Sequence, residues 1–507
     1  MNKIEFLTRP ARRVRRACAF GAAFLVLTVF ASQCFAQSAA TSASSSQLSK
    51  QYMELMNGVF DFVQRNYVDD VDPAVLYHGA LKGMLEALND PYTLYLDSNA
   101  MRSLNDTTGG AFGGVGLSIS KPYESSPDKP AYVEVASPIE DTPGFRAGII
   151  AGDLIISVDG TDTSEITMEE VLSKLRGKVG ESVDLVIRRG KTMEFPVTLV
   201  RAMIEVPTVK YGTISERTEL GTVGYIRIIE FTPNTAQRVQ DAIDSFKKPK
   251  IGSLIIDLRN NPGGLITSVA DVADKFIDSG PIVTTKSRLS FENSVFTATP
   301  RKTTFPKCIP IVVLINRGSA SASEILSGAL KDDHLAYLVG ERTYGKGSVQ
   351  QVLPLSATDG LKITMARYYT PSDTNIDKIG IPPDREVLFP PLGEEGEAEY
   401  TKMLKEDDLA KYVAEHPNMT ERDISAYAKT LHKKYAHIDE RTFRKLLRNQ
   451  VRRTEPAMLY DLDYDVQLNA ALDILAKEDF AALVKNTKTL KELQEESAAT
   501  DTATAKK

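Results

Sequence analysis

The chain has 507 residues, 42% hydrophobic and 25% charged, which is ordinary for soluble globular protein and long enough for about three domains. A formal net charge of −6 argues against nucleic acid or anionic lipid as the partner. Of three cysteines only Cys308 lies beyond residue 36, and a single thiol makes neither a disulfide framework nor a metal cluster; no metal or other cofactor is expected.

The first 36 residues run from a basic region (Arg9, Arg12, Arg13, Arg15, Arg16) through an apolar stretch, 17–31, to a small-residue exit near Ala36. That order is a secretory signal. Its apolar core falls short of the roughly 20 residues that a spanning helix needs, so cleavage is expected ahead of retention as an inner-membrane anchor. Loss of this segment removes six basic residues and one acidic, taking the formal charge from −6 to −11. Cys18 and Cys34 leave with it, and Cys308, beside an apolar strand, is expected in the core. Residues 37–50 are small and polar, a tether. Over 51–111 the pattern is helical, with Leu55, Val59, Phe62 and Val63 on one stripe and Leu76, Ala80, Met84 and Leu88 on another. Core packing is the expected use of these stripes, with subunit pairing the alternative.

Residues 112–200 change character. A glycine run holding Gly113, Gly114, Val115, Gly116 and Leu117 is followed by alternating strands, one helix over 168–175, and a hairpin turn at Arg189, Gly190 and Lys191. The stretch AGIIAGDLIISVDG, 147–160, resembles a PDZ module. Such modules bind by strand addition, with a terminal carboxylate in a nest of backbone N–H groups. The glycines suit that nest or simply a tight turn. Leu117 and Ile119, alternating on the next strand, would favour apolar tails.

From 201 to 392 strands and helices alternate as in an α/β core. Strands are expected over 223–229 and 252–258. The second runs into Arg259, Asn260, Asn261, Pro262, Gly263 and Gly264, and a helix follows. A glycine pair before a helix is an anion site by geometry, and weak evidence alone. Residues 309–350 parse as a buried strand, a sharp turn, a helix, a second strand, and a glycine-flanked lysine opening a third. Ser321 with Glu324 fits a capping box. Equally, a serine at a helix mouth lies where unpaired N–H groups would stabilise an oxyanion. Lys346, between Gly345 and Gly347, can serve as a base only if burial lowers its pKa from roughly 10.4 towards roughly 7 to 8. Gln350, four residues on, is expected on the same face and could orient the amine. His334, just beyond the helix, keeps a histidine arrangement as a minor alternative.

Beyond Gly393 the chain is charged and helical. Asp461, Asp463 and Asp465 superficially suit a calcium loop, but Val466 and Leu472 occupy the positions that require glycine and glutamate. Packing on the core, a homodimer contact or an adaptor surface are all open for this tail.

Three stretches together carry a family likeness: LRNNPGG (258–264), GSASASEI (318–325) and TYGKGSVQ (343–350). Over roughly residues 50 to 392 the chain resembles the carboxyl-terminal processing proteases, also called tail-specific proteases, which are serine endopeptidases of bacteria and plastids. The resemblance implies a multidomain α/β protein with a crotonase-like protease core, an inserted PDZ-like domain, and helical segments at both ends. It also implies a nucleophile 25 positions before its lysine base, which selects Ser321 over Ser319 and Ser323. Gln350 would be the third member, with the N–H groups of Gly263 and Ala322 as the oxyanion hole. The expected organisation is signal 1–36, linker 37–50, helical segment 51–111, PDZ-like domain 112–200, protease core 201–392 and helical extension 393–507. The expected activity is periplasmic cleavage of proteins or peptides with exposed carboxyl termini. A catalytically inactive peptide-binding scaffold is the principal alternative, and an acyl-CoA enzyme a more distant one.

Overall fold

The computed structural model describes residues 46–122, 130–139, 141–190, 192–205, 208–406, 408–452 and 458–504. The expected signal and much of the tether, 1–45, lie outside these. The chain forms two compact units, one up to Tyr95 and one from Leu96 onward.

In the first unit, helix α1 (46–66) begins inside the segment expected as a tether. Helix α2 (Pro73–Glu86) starts at Asp72, whose carboxylate accepts the Ala74 N–H at 2.9 Å, with Pro73 supplying a pre-set φ. The apolar stripes exist but do not form a core. Leu55, Val59 and Phe62 are 65%, 63% and 67% exposed, and the only buried residue of α2 is Leu85. Tyr52, Met56, Leu76 and Ala80 join Leu55 and Val59 along an apolar groove of about 470 Å³. Two helices cannot enclose a core between them without a further layer.

The second unit opens with α3 (Ser98–Gly109) and β1 (Ala111–Gly114). A β-rich domain follows, comprising β2 (Leu117–Ser120), β3 (Val133–Pro138), β4 (Leu154–Val158), α4 (Met168–Leu175), β5 (Ser182–Arg189) and β6 (Met193–Val200). The five strands pair in that order, all antiparallel, so β2 is an edge. Alternate residues Val133, Val135, Val183, Leu185 and Ile187 face inward onto Val171 and Leu175 of α4. A capping box of Thr167 and Glu170 starts that helix. The chain leaves through β7 (Ala202–Glu205), which pairs antiparallel with β1, Ala111 opposite Glu205 and Gly114 opposite Ala202. Incoming and outgoing strands therefore form one two-stranded stem.

The α/β core comprises β8 (Val209–Ile214), β9 (Val223–Ile228), α5 (Thr235–Phe246), β10 (Ser253–Asp257), α6 (Ile266–Ala273), β11 (Gly280–Ser287), β12 (Ile311–Ile315), α7 (Ala322–Asp332), β13 (Tyr337–Gly340), β14 (Ser348–Pro354) and β15 (Gly360–Tyr369). In the central sheet β8 pairs antiparallel with β9, and β9, β10, β12 and β13 run parallel in that order. β15 lies between β11 and β14 in a second, antiparallel sheet. Every residue of β10 and β12 is buried, which requires a cover on both faces of the sheet. On one face Ile226, Ile228, Leu254, Ile256, Ile311 and Val313 meet α5, α6 and α7. Cys308 precedes this strand in a turn and is exposed, not core, because the apolar run enters the sheet only at Ile311.

The second cover comes from the tail, which divides in two. Helices α8 (Gly393–Glu406), α9 (Asp408–Glu415), α10 (Glu421–Lys434) and α11 (Glu440–Val451) enclose their own core around Ile424, Leu431, Phe443 and Leu447. Helix α12 (Val466–Lys477) lies instead on the central sheet, where Leu468, Ala471, Leu472 and Ile474 meet Tyr225, Ile255, Val312 and Leu314. Asp465 caps α12 by accepting the Leu468 N–H at 2.9 Å, and it also holds Arg259 at 2.7 and 2.8 Å. Replacing Asp465 by alanine removes a helix cap worth about 1 kcal/mol and one partner of a nearly buried guanidinium. The expected loss is about 2 to 4 kcal/mol, read as a lower urea midpoint. An unmoved midpoint would show that α12 is not anchored there.

Candidate active site

The turn between β12 and α7 carries three serines, and their environments differ. Ser319 is fully buried, and its hydroxyl donates to the Leu258 carbonyl at 2.8 Å. Ser323 is equally buried and donates to the Asn261 carbonyl at 3.0 Å. Both are struts between this turn and the loop after β10. Ser321, between them, is only half-buried, with φ 54° and ψ −114°. A non-glycine residue in that region costs about 1 to 3 kcal/mol and persists only where its surroundings over-determine it. It is the strained strand-to-helix geometry that lifts a side chain clear of the chain on either side.

The Ser321–Glu324 pair has capping-box geometry. Glu324 Oε2 accepts the Ser321 N–H at 2.8 Å, while the Glu324 N–H lies 2.9 Å from the Ser321 carbonyl. The Ala322 N–H, first in the helix, has no acceptor among the described residues. Opposite, Gly263 comes so close that a Cβ on it would stand 2.7 Å from that of Ser321, with a φ of 110° that favours glycine. The Gly263 N–H, expected as an oxyanion donor, donates to Asn261 Oδ1 at 2.9 Å. One of the two expected donors is therefore open and the other engaged.

Behind this loop, Arg259 bridges Asp257 and Asp465, and the Tyr225 hydroxyl donates to Asp257 at 2.6 Å. Burial works to raise the Asp257 pKa, but the guanidinium and the phenol hold it below the usual carboxylate range.

Lys346 lies in the irregular stretch between β13 and β14, half-buried. Its turn is held against the loop after β15 by the Lys378 N–H to the Gly345 carbonyl at 2.8 Å, the Gly347 N–H to Asp377 Oδ1 at 3.0 Å, the Thr343 N–H to the Ile381 carbonyl at 3.1 Å, and the Ile381 N–H to the Thr343 hydroxyl at 2.7 Å. A Cβ on Gly345 or Gly347 would collide with that loop's backbone, at 2.9 and 2.6 Å. The turn also meets the serine turn directly, the Tyr344 N–H donating to the Ser319 carbonyl at 3.0 Å. Gln350 is on β14, where its amide nitrogen donates to Ser348 and Thr364 at 2.9 and 3.2 Å. Its carbonyl oxygen is thus the end suited to accept from an amine. The period-two argument linking it to Lys346 does not apply, because Lys346 precedes the strand and a bulge falls between Val349 and Gln350.

His334 lies beyond the far end of the 11-residue α7, about 16 Å along its axis from Ser321, and bonds to Thr487. In the β-rich domain, Gly113 and Gly114 belong to the β1 stem, where Gly113 permits a close approach to Gly177. The loop proper is Val115 and Gly116, both buried, Gly116 at φ 74°. Their carbonyls accept from Gly144 and Ile139, and their N–H groups have no acceptor among the described residues. Leu117 and Ile119 follow on the β2 edge, packed against the domain core.

Residues 222–387 match the model of peptidase family S41, residues 17–100 that of the activating protease CtpB N-terminal domain, and residues 134–189 that of a PDZ domain. The chain is 39% identical over 360 residues to a carboxy-terminal-processing protease of Bartonella bacilliformis, covering 70% of this chain and 79% of the other. It is 32% identical over 371 residues to the carboxy-terminal processing protease CtpB of Bacillus subtilis, covering 73% and 74%. Among solved structures, a photosystem II D1 C-terminal processing protease is 31% identical with a TM-score of 0.40, covering 66% of this chain and 92% of that one.

The contact between Gly263 and the serine turn is testable without a substrate. Gly263→Ala introduces both a strained φ and a steric collision, an expected cost on the order of 3 kcal/mol in chemical denaturation. Gly252→Ala, whose Cβ would meet nothing closer than 3.6 Å, is the control, with a change under about 1 kcal/mol. Equal effects in the two variants would contradict the close approach.

Proposed function

The chain belongs to the carboxy-terminal processing proteases, serine-type peptidases with a PDZ domain, and from that premise we propose that it is an exported endopeptidase whose Ser321 and Lys346 form a catalytic dyad. The observation that carries this reading is the meeting of two turns. Ser321 stands in a strained strand-to-helix turn between two serines already committed as struts, and the Lys346 turn is hydrogen-bonded to the same element.

In this mechanism the Ser321 hydroxyl attacks the scissile carbonyl and passes its proton to the neutral amine of Lys346. The carbonyl oxygen becomes an oxyanion at the helix mouth and takes the open Ala322 N–H. The Gly263 N–H joins it by exchanging Asn261 Oδ1 for the oxyanion. Collapse expels the amine leaving group, which takes the proton back from Lys346, and water then hydrolyses the acyl-enzyme by the same route. Gln350 holds the lysine through its carbonyl oxygen.

Substrate capture belongs to the PDZ domain. A peptide adds as a strand along the β2 edge, and its terminal carboxylate takes the Val115 and Gly116 N–H groups. Strands that alternate between two sheets, with a helix after each of β9, β10 and β12, support the crotonase-like reading of the core. The signal-like residues 1–36 support export to the periplasm.

Ser321→Ala and Lys346→Ala should each lower the turnover of a quenched fluorescent peptide with an apolar carboxyl-terminal residue by roughly 10³-fold or more, with unchanged circular dichroism. Cleavage at the wild-type rate by both variants would end the dyad reading.

A further inference from the structure

Glu324 is fully buried in the first turn of α7, and burial pushes its pKa above the usual carboxylate value while its hydrogen bonds pull it down. Its partners in the two turns are all donors. Oε1 accepts from the Thr343 hydroxyl at 2.6 Å and the Gly345 N–H at 2.7 Å. Oε2 accepts from the Ser321 N–H at 2.8 Å and the Lys346 N–H at 2.9 Å. Only an ionised carboxylate can accept all four, since a protonated one would turn an O–H towards a donor. One oxygen atom thus receives the amide protons of both residues assigned to the dyad, 25 positions apart. A capping box needs the bond from the Ser321 N–H and none of the other three.

A second group holds the carbonyl side of Lys346 and stands beside that of Ser321. The Tyr368 hydroxyl, on β15, donates to the Lys346 carbonyl and stands 3.3 Å from the Ser321 carbonyl. It is also 3.5 Å from Glu324 Oε2, and its ring is buried in the core with 1% exposure. The carboxylate therefore fixes the amide side of both residues, and the phenol fixes the carbonyl side of Lys346.

We propose that Glu324, with Tyr368 as its partner, is the positioning residue of the active site: it sets the separation of the Ser321 hydroxyl and the Lys346 amine by holding both backbones on one atom. It touches neither substrate nor reacting atoms. This rests on the dyad reading and adds to it what brings the dyad together. It also accounts for the φ of 54° at Ser321, since a strained residue must be over-determined and the bond to Oε2 fixes its N–H. Turnover, which depends on sub-ångström alignment, should be far more sensitive to this carboxylate than substrate binding on a separate domain.

The test uses the full chain and the same quenched peptide. Glu324→Gln keeps the shape but turns an NH₂ towards one pair of donors, displacing one turn. The expected result is a fall in kcat of roughly 10²-fold with KM within about 3-fold. Tyr368→Phe, which removes one hydroxyl and keeps the ring, should lower kcat by roughly 10-fold with KM unchanged, and it carries the test if Glu324→Gln does not fold. A residue that only supported the fold would lower the melting temperature and leave kcat unchanged well below it. Wild-type kcat in folded Glu324→Gln, or in Tyr368→Phe where the former does not fold, would overturn the positioning role. If Ser321→Ala and Lys346→Ala are inactive in that same experiment, the dyad itself stands. Wild-type activity in those two would instead remove the dyad.

Discussion

A serine held at φ 54° between a strand and a helix is the constraint around which the core is arranged. An L-residue leaves that region unless its neighbours forbid relaxation, and here they do so on every side. Ser319 and Ser323 fasten the turn to the loop after β10, Gly263 presses on it where no side chain would fit, and Glu324 fixes its amide from within the helix. The lysine turn is built the same way, with two glycines against the loop after β15 and three amide or hydroxyl groups on the same carboxylate.

The supports reach further than these turns. The loop that carries Gly263 starts at Arg259, which is clamped between Asp257 of the sheet and Asp465 at the head of α12. A helix more than 70 residues beyond the last strand of the central sheet thereby closes the second face of that sheet and steadies one wall of the site. The sheet that carries the site is therefore covered on one face by residues beyond 392.

Much of this was legible in the sequence, because buried parallel strands read as short apolar runs and the turns are punctuated by glycine and serine. The strand, turn, helix and strand over 309–340 were all visible, and the helix expected over 168–175 has those bounds in the structure. What escaped depended on contacts between distant segments. Glu324 was visible only as half of a capping box, since its three other donors lie 19 to 22 positions away. The difference between Ser321 and its two neighbours lies in which carbonyls their hydroxyls reach, and composition carries no trace of that. A bulge broke the parity linking Lys346 to Gln350, and the tail's charge concealed one helix that belongs to the core. The stripes of α1 and α2 had the period of core helices, but periodicity states that a face is apolar and not what covers it.

The stem of β1 and β7 gives the PDZ domain a particular kind of independence. Because the two strands are hydrogen-bonded neighbours, about 5 Å apart, the domain's ends leave the core side by side. Excising everything beyond them would leave a gap that a tight hairpin could bridge. The PDZ domain is in that sense a cassette, set on the hydrolytic machinery through a two-stranded stem.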